Sequence, residues 1–270
     1  MPTLPSRPYE QRRIAESFGA DAERYDRTRP PYPDELISRI STAAPGPELA
    51  DVGCGTGTAT RQFQQAGCRV LGIEPDERMA GYARSRGLQV ETATFEDWEP
   101  AGRRFDAVVA GTSWHWVDPV AGAAKAARIL RPGGLLAAFW HVPEPPTAAA
   151  GALAATVRRL LPDAPFDLTP QPGRTPLDGY QLLLDKAVQG IREAGGFGEP
   201  EQWQIRWERR YTRAEWLDQL PTSGLLTRLP PEPLAEVLDA VGAALDDSFV
   251  VPYTTVAVVG KRLSQPRGFR

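Results

Sequence analysis

Apolar residues recur in short runs along the middle of the chain, and the runs alternate with segments of helical period. Five short strands are predicted by PELADVG, RVLGIEP, LQVETATF, FDAVVAGT and LLAAFWH. Three helices are predicted between them by GTATRQFQQAG, DERMAGYARSRG and VAGAAKAARIL, the last of which ends at the turn RPGG. Strands and helices that alternate at this spacing form βαβ units, which indicate an α/β fold with a parallel sheet.

The sequence after this pattern departs from it. Two helices are predicted by TAAAGALAATVRRLL and LDGYQLLLDKAVQGIREAG, with the Pro-rich loop PDAPFDLTPQPGRTP between them. Strands return in EQWQIRWERRYT and YTTVAVVGKR, and an amphipathic helix is predicted for PPEPLAEVLDAVGAALDD. We therefore expect a single domain over 1–270, with a core at 46–142, a small helical cap insertion at 143–200, and a last part at 201–270 that completes the sheet. The Pro-rich loop is either a mobile lid or an inert surface linker.

Composition and charge restrict the class of protein. The chain has 270 residues, of which 41% are hydrophobic and 24% are charged, as in ordinary globular proteins. Its formal net charge is −3 and no run of Lys and Arg exceeds two residues, which disfavours a nucleic-acid partner. No run reaches about 18 apolar residues and no apolar region stands at the N-terminus, so neither a membrane partner nor secretion is predicted. Two cysteines make no disulfide framework, and we expect a cytoplasmic protein.

A glycine-rich turn, DVGCGTGT, follows the first predicted strand. Glycines at alternating positions let the backbone approach a flat ligand closely at the start of a helix. Dinucleotides and adenosyl compounds both bind at such turns, but Gly53, Gly55 and Gly57 are spaced too closely for the dinucleotide pattern G-x-G-x-x-G. Asp51 stands near the strand end, where it could attract an amino group or organise the loop.

Two further features accompany the glycine turn. Glu74 ends the second strand, 21 residues past Gly53, and a carboxylate there can accept both hydrogen bonds from a ribose diol. The alternative is a surface acid beside a turn proline. The segment TATFEDW follows the third strand, where a backbone amide and a side chain could bind the edge of an adenine ring.

Together these motifs resemble those of class I S-adenosylmethionine-dependent methyltransferases. The resemblance is carried, in order, by LADVGCGTGTATRQF, GIEPDERM, FEDWEPAGRRFDAVVAGTSWHWVDP and RILRPGGLLAAFW. It is closest to the small-molecule branch that includes methyltransferase type 11 and trans-aconitate methyltransferase-like proteins. The resemblance implies a Rossmann-like sheet of seven mostly parallel strands, the last antiparallel, with helices on both faces. It also implies S-adenosylmethionine as cofactor, S-adenosylhomocysteine as product, and methyl transfer to O, N or C of a small organic molecule.

The resemblance also implies roles for single residues. Asp51 and Gly53 would lie under the methionyl amino group, Glu74 would bind the ribose hydroxyls, and Gly111 with Thr112 would pass beneath the sulfonium. The full set assigned to the cofactor is Tyr25, Arg29, Asp51, Gly53, Cys54, Gly55, Gly57, Glu74, Pro75, Met79, Thr94, Phe95, Glu96, Gly111 and Thr112. Within it, Pro75 and Met79 would pack on the adenine.

The N-terminal segment 1–45 is predicted to be helical and to close the cofactor site. Its stretch FGADAERYDRTRPPYP also resembles this branch. Arg29 would pair with the methionyl carboxylate, a contact that suits a guanidinium fork. Tyr25 and Phe18 would close over the sulfonium, since an aromatic face attracts a cation. The alternative for Arg29 is an ordinary exposed ion pair.

The chain has two histidines, and both are candidate catalytic residues. His115 and His141 follow the fourth and fifth strands, at the sheet edge where ligands bind in open α/β folds. Either could be a general base, which is needed only if the acceptor must lose a proton. The alternative for each is a hydrogen-bonded packing residue. His141 also departs from the resemblance, because close relatives are expected to have Asn there.

Other site chemistries are disfavoured. No cluster of acids indicates a metal site, so we expect no metal. A nucleophilic role for Cys54 is disfavoured because no histidine is predicted beside it. The glycine spacing disfavours an NAD-dependent oxidoreductase, because it does not match G-x-G-x-x-G. The negative net charge disfavours methylation of RNA. A protein of the same fold that uses the cofactor to guide a rearrangement or cyclisation, without methyl transfer, stays open, as does the choice between a monomer and a homodimer.

Overall fold

The computed structural model describes residues 16–162, 168–169 and 173–264. The first 15 residues of the predicted N-terminal segment and part of the Pro-rich loop lie outside these residues. Seven strands are found in the described chain, in chain order β1 Glu48–Val52, β2 Arg69–Glu74, β3 Val90–Thr92, β4 Phe105–Gly111, β5 Leu130–Pro143, β6 Glu201–Thr212 and β7 Ser248–Lys261.

Helices separate most of the strands. The α-helices of the described chain are α1 Ala22–Thr28, α2 Asp34–Ala43, α3 Thr58–Gln65, α4 Glu77–Ser85, α5 Pro119–Ile129, α6 Thr147–Leu160, α7 Gln181–Ala194, α8 Arg213–Gln219 and α9 Pro231–Ala243. Three of them begin with an acidic N-cap: Asp21 accepts from the Arg24 amide at α1, Asp76 accepts from the Arg78 amide at α4, and Asp118 accepts from the Val120 and Ala121 amides at α5. None of the described helices is long and apolar enough to span a membrane.

The strands form one sheet in the order β3-β2-β1-β4-β5-β7-β6. Pairs β1–β2, β1–β4, β2–β3 and β4–β5 are parallel, whereas β7 runs antiparallel to both of its neighbours. The predicted α/β fold, with seven mostly parallel strands and an antiparallel last strand, is confirmed. The order reverses between β1 and β4, which makes the carboxyl ends of these two strands the topological switch point of the sheet.

The chain divides into two compact units. The sheet unit consists of Pro30–His141, Leu182–Ile205 and Thr255–Arg270. Its main hydrophobic core joins α2 and α3 to the sheet, with Leu36, Ile40, Phe63 and Phe139 fully buried. Burial of such side chains contributes about 1.5–3 kcal/mol each, so this core fixes the strand ends that carry the candidate site.

The helical unit consists of Met1–Arg29, Val142–Gln181 and Arg206–Thr254. Its core is rich in aromatic rings, including Tyr211, Trp216 and Phe249. The Tyr211 and Tyr253 hydroxyls lie 2.7 Å apart in this core, where one donates a hydrogen bond to the other. Helix α6 belongs to this unit and α7 to the sheet unit, and the predicted single domain with a cap at 143–200 stays a prediction.

Two elements differ in extent from their sequence patterns. Strand β3 covers only Val90–Thr92, because Thr94 turns the chain: its hydroxyl accepts from the Asp97 amide at 3.2 Å and its carbonyl accepts from the Trp98 amide. Strand β5 begins at Leu130, so the predicted RPGG turn is already part of the strand. Gly133, at φ 79°, supplies the left-handed residue that bends it.

Candidate active site

The glycine turn after β1 has the backbone conformation that its sequence predicts. Gly53, Gly55 and Gly57 have φ values of 63°, 58° and 91°, in the left-handed region that favours glycine. The Gly53 amide donates to the carbonyl of Ile73 in β2 at 2.7 Å. A Cβ at Gly53 would lie 2.6 Å from the Cβ of Ser113, so the absence of a side chain allows this turn to touch the turn after β4.

Cys54 packs inside the glycine turn. Its side chain is buried, and a Cβ at Gly72 of β2 would lie 2.6 Å from its Sγ. Burial raises the pKa of the Cys54 thiol well above its ordinary value, chiefly by desolvation. The residue is therefore a neutral packing group.

Asp51 is a buried acid with one unsatisfied oxygen. Its side chain is 1% exposed, and Thr60 Oγ1 of α3 donates to Oδ2 at 2.6 Å. Oδ1 has no hydrogen-bond partner among the described residues. Desolvation raises the pKa of Asp51 to about 7, against the lowering effect of the Thr60 bonds. A buried acceptor without a donor is costly, so this carboxyl is suited to a donor that the protein itself does not supply.

Glu74 lies against the glycine turn. Its Oε2 accepts from the Gly55 amide at 2.8 Å, and Oε1 accepts from the Asp76 amide at 3.0 Å. The side chain is buried, and desolvation raises its pKa to about 7 although both amide bonds act in the opposite direction. Of its predicted neighbours, Pro75 is exposed and Met79 is buried, with its Cε 3.5 Å from the position that a Cβ at Gly55 would take.

The segment after β3 brings together the residues predicted for the adenine. Phe95 is buried, with its ring centroid 6.3 Å from that of Trp98, and Glu96 Oε1 accepts from the Asp118 amide at 2.9 Å. Lys125 of α5 donates through Nζ to the Glu96 carbonyl at 2.9 Å and to the Trp98 carbonyl. Sequence reasoning did not single out this lysine. Its position among alanines in AAKAAR, on a helix face that must be buried, is the signal that could have found it.

The turn after β4 contains a strained residue. Thr112 has φ 56°, which is unusual for a β-branched side chain. Its amide donates to the Phe139 carbonyl of β5 at 2.7 Å, and its hydroxyl lies 3.1 Å from that of Tyr32. A Cβ at Gly111 would lie 2.7 Å from the Tyr32 hydroxyl. Ser113 Oγ donates to the Val52 carbonyl at the end of β1, which joins the two turns.

Tyr32 is a second residue that sequence reasoning missed. Gln62 of α3 accepts from the Tyr32 amide at 2.9 Å and donates to its carbonyl at 2.7 Å, which fixes its backbone. The phenol ring stacks on His141 with centroids 4.4 Å apart. Its place in RPPYP, within the stretch that resembles the family, was the available signal.

The two histidines occupy different environments. Trp140 Nε1 donates to His115 Nδ1 at 3.1 Å, the imidazole is half-buried, and desolvation lowers its pKa to about 3. His141 Nδ1 lies 2.8 Å from Thr255 Oγ1 of β7, and its ring stacks on Tyr32. Both stand at the carboxyl edge of the sheet as predicted, and their catalytic roles stay predictions.

Tyr25 and Arg29 belong to the helical unit. The Arg29 guanidinium carbon lies 4.4 Å from the Tyr25 ring centroid, and Nη2 donates to the Thr222 carbonyl. Tyr25 meets Phe18 edge-on with centroids 6.0 Å apart. No carboxylate of the described residues pairs with Arg29, and its Nε is buried without a hydrogen-bond partner there. The guanidinium therefore keeps a donor, and its predicted contact with the cofactor stays a prediction.

The described residues contain no group of three or more His, Cys, Asp or Glu side chains arranged to hold a metal ion.

Comparison with known proteins finds methyltransferases among the proteins that this chain resembles. Residues 50–138 match the model of a family described as a methyltransferase domain. An uncharacterized methyltransferase of Mycobacterium tuberculosis is 35% identical over 133 residues, which are 48% of this chain and 54% of that protein. A malonyl-[acyl-carrier protein] O-methyltransferase of Pectobacterium atrosepticum is 27% identical over 237 residues, 82% of this chain and 86% of that protein.

A solved structure extends the likeness to nearly the whole chain. It is that of a candidate type II methyltransferase from Anaeromyxobacter dehalogenans, with a TM-score of 0.59, 25% identity, and coverage of 88% of this chain and 99% of that one. The chain spans about half the length of the first curated relatives that it matches. The matched domain covers the glycine turn, Glu74, the turn after β4 and most of β5. Residues 50–138 are therefore similar to a methyltransferase domain, and the chain has the class I methyltransferase fold that its sequence motifs predict.

Proposed function

We propose that the protein is an S-adenosylmethionine-dependent methyltransferase that acts on a small organic molecule. The observation that carries the proposal is the contact between Glu74 and the glycine turn, in which the carboxylate accepts from the Gly55 amide at 2.8 Å. The contact supports the proposal because it holds an acid that would bind a ribose diol beside backbone that can lie flat against a ligand. The methyltransferase-domain match over 50–138 includes both features.

The residues present fit the cofactor's methionyl end. Asp51 Oδ1 is a buried acceptor with no partner in the described chain, and an ammonium group is a donor that would satisfy it. Binding a cation would also favour the ionised form of Asp51, whose pKa burial now raises. The interpretation of Asp51 as a residue that only organises the loop leaves Oδ1 unexplained.

The residues also fit the nucleoside end. Glu74 is oriented by two backbone amides, which would leave its remaining lone pairs for two hydroxyl donors. Met79 and the segment from Thr94 to Glu96 lie beside the turn or at the end of the next strand, where an adenine ring would pack. Lys125 would hold that segment in place through its two carbonyl contacts.

When bound, the cofactor supplies a methyl group on a sulfonium, and its transfer forms a bond from the acceptor to the methyl carbon while the electron pair of the broken carbon–sulfur bond stays on sulfur. The chain's own contribution is alignment and exclusion of water. The acceptor atom is O, N or C. The name of the Pectobacterium atrosepticum relative, an O-methyltransferase of which 86% is covered, supports oxygen among these.

Calorimetric titration with S-adenosylhomocysteine tests the cofactor site without any acceptor. We expect binding by the unaltered protein and a dissociation constant at least tenfold higher for Glu74→Gln, because one charge-assisted acceptor is lost. Glu77→Gln is the matched control, since Glu77 lies in the same segment but is exposed and pairs with Arg84. Absence of binding by the unaltered protein, or equal affinities for the two variants, would contradict the proposal.

Release of S-adenosylhomocysteine during turnover distinguishes methyl transfer from the alternative. A protein that uses the sulfonium only to guide a rearrangement or cyclisation returns S-adenosylmethionine unchanged. A panel of small carboxylic acids, phenols, amines and activated carbon acids is suitable for this assay, and at least one class should release S-adenosylhomocysteine.

A further inference from the structure

His115 has one ring nitrogen whose hydrogen-bonding role is fixed. Trp140 Nε1 lies 3.1 Å from His115 Nδ1. An indole nitrogen is a donor only, so Nδ1 must be the acceptor and must carry its lone pair. In a neutral imidazole the proton then stands on Nε2, because the hydrogen bond made by one nitrogen sets the tautomer of the other.

The surroundings keep the imidazole neutral. Trp140 is 1% exposed in β5, and the ring of Trp116 packs against His115 with centroids 4.7 Å apart. No ion pair to His115 is found in the described chain, and desolvation is the cause that lowers its pKa. A second proton on Nδ1 would have to displace the Trp140 donor. The position is therefore poorly suited to a proton acceptor.

The other nitrogen is available. Nε2 makes no hydrogen bond to any residue that the structure describes, and the side chain is half-buried rather than enclosed. His115 follows β4 at the carboxyl edge of the sheet, three residues past strained Thr112. A neutral imidazole in this tautomer presents an N–H there, which can donate to an oxygen.

We propose that His115 is a hydrogen-bond donor through Nε2, held in that tautomer by Trp140, and that it binds an oxygen atom of the methyl acceptor instead of removing a proton. This assignment rests on the proposed function for the identity of its partner. It names the acceptor class as a molecule with an oxygen atom that accepts a hydrogen bond, at or close to the methylated atom. Trp140 is a positioning residue, since it acts through His115.

The tautomer can be tested without an acceptor or an active enzyme. The chain has only two histidines, so a long-range proton–nitrogen NMR spectrum of the histidine-labelled protein contains two imidazole patterns, and His115→Asn assigns them. We expect His115 to show the neutral Nε2–H pattern throughout pH 5–8. A pattern of the Nδ1–H tautomer, or of the imidazolium at pH 7, would overturn the proposal.

The role of Trp140 is tested by a matched pair of variants. Trp140→Phe should move the His115 Nδ1 resonance, populate the second tautomer and raise the pH at which the ring titrates. Trp114→Phe makes the same change at another buried tryptophan whose Nε1 has no hydrogen-bond partner among the described residues, so His115 should keep its pattern. Equal changes of the His115 resonances in the two variants would indicate a general packing effect and would contradict the proposal that Trp140 fixes the tautomer.

The donor role is tested by two amide variants, measured with whichever class of the acceptor panel gives S-adenosylhomocysteine. Gln places an N–H near the position of Nε2, whereas the shorter Asn does not, and neither amide is a base. We expect His115→Gln to stay within about fivefold of the unaltered rate and His115→Asn to lose about 10- to 100-fold. Equal large losses would indicate a base, and unchanged rates in both would show that His115 does not touch the acceptor.

A failure of the proposed function is distinguishable from a failure of this inference. If no S-adenosylhomocysteine binds or forms, the cofactor site is wrong, while the NMR pattern of His115 is unaffected by that result. If the cofactor binds and the NMR pattern shows an Nδ1 proton, the donor role alone fails.

Discussion

The two turns at the switch point of the sheet both contain left-handed backbone, but different residue types adopt it. After β1, three glycines take the left-handed conformation, with φ between 58° and 91°. After β4, the left-handed residue is Thr112 at φ 56°, where a Cβ and a branched side chain are unfavourable. The two turns meet through Ser113, which donates to the Val52 carbonyl and stands 2.6 Å from the place of a Cβ at Gly53.

The difference indicates what each turn is for. Glycine leaves backbone amides accessible, and the glycine turn lies beside two buried acids, Asp51 and Glu74. Threonine adds a hydroxyl, which faces Tyr32 at 3.1 Å. Strained backbone is common in binding sites, where the strained residue contributes a functional group. Folding alone gives no reason to keep strain that a glycine would relieve.

The largest expected effect concerns the two acids beside the glycine turn. Burial raises the pKa of Asp51 and that of Glu74 to about 7, from ordinary values of 3.8 and 4.5. Between pH 4 and pH 7 the folded protein keeps these two carboxyls protonated, whereas the unfolded chain has lost both protons. Their contribution to the free energy of unfolding is therefore complete below about pH 4 and is lost as the pH rises to about 7. The loss is about 4 kcal/mol for Asp51 and about 3 kcal/mol for Glu74 in the cofactor-free protein.

Urea unfolding of Asp51→Asn at pH 4, 6 and 8 measures this effect. The fall in unfolding free energy between pH 4 and pH 8 should be smaller in the variant than in the unaltered protein by about 4 kcal/mol. Asp246→Asn, at an exposed position, should follow the unaltered protein. If the unfolding free energies of Asp51→Asn and the unaltered protein depend on pH in the same way, folding does not raise the pKa of Asp51.

The next effect tests the contact between the turns. Gly53→Ala adds a Cβ 2.6 Å from Ser113 Cβ in a left-handed residue, so strain and overpacking act together and about 3 kcal/mol of stability should be lost. Gly67→Ala is the control, because φ is 90° there but no atom lies within 4 Å, and about 1 kcal/mol should be lost.

Unfolding midpoints in urea compare these variants. Adding Ser113→Gly to Gly53→Ala removes the opposing Cβ and should recover part of the loss. If Gly53→Ala and Gly67→Ala are destabilised equally, the contact contributes nothing and the glycine is required only for its backbone conformation.

A smaller effect is expected at the hydrogen bond that joins the turns. Ser113→Ala leaves the Val52 carbonyl without its buried donor and should lower stability by about 1 kcal/mol, measured as a shift of the thermal midpoint. Ser85 also donates to a backbone carbonyl, that of Tyr82, but is exposed. Ser85→Ala should therefore cost less than about 0.5 kcal/mol, and an equal cost for the two serines would contradict the special role of Ser113.

The two turns also separate what sequence could predict from what it could not. The glycine turn, the position of Glu74 and the parallel strands follow from local spacing, since the left-handed conformation needs glycine and βαβ units make neighbouring strands parallel. The strain at Thr112 has no local signal, because its sequence GTSW reads like many strand ends.

Long-range side-chain contacts were likewise beyond sequence reasoning. The bond from Trp140 to His115 depends on how β5 pairs with β4, where Phe139 stands opposite Gly111. The sequence predicts a candidate general base at His115. The bond from Trp140 instead favours the tautomer in which Nε2 carries a proton and can donate a hydrogen bond. Tyr32 and Lys125 were missed for the same reason, since each is placed by partners about 30 residues away.

The smallest effect on stability is expected at Thr112 itself. Thr112→Gly relieves the left-handed strain but loses the hydroxyl contact and gains backbone entropy in the unfolded chain, so the unfolding free energy should change by less than about 1 kcal/mol. Thr112→Val keeps the branched side chain and the strain without the hydroxyl, and it should be the less stable of the two. A loss above about 2 kcal/mol in Thr112→Gly would mean that Thr112 is retained for folding. A small loss, with weaker S-adenosylhomocysteine binding in both variants by calorimetry, would mean that the hydroxyl is retained for the ligand, which explains why this turn, unlike its neighbour, has no glycine.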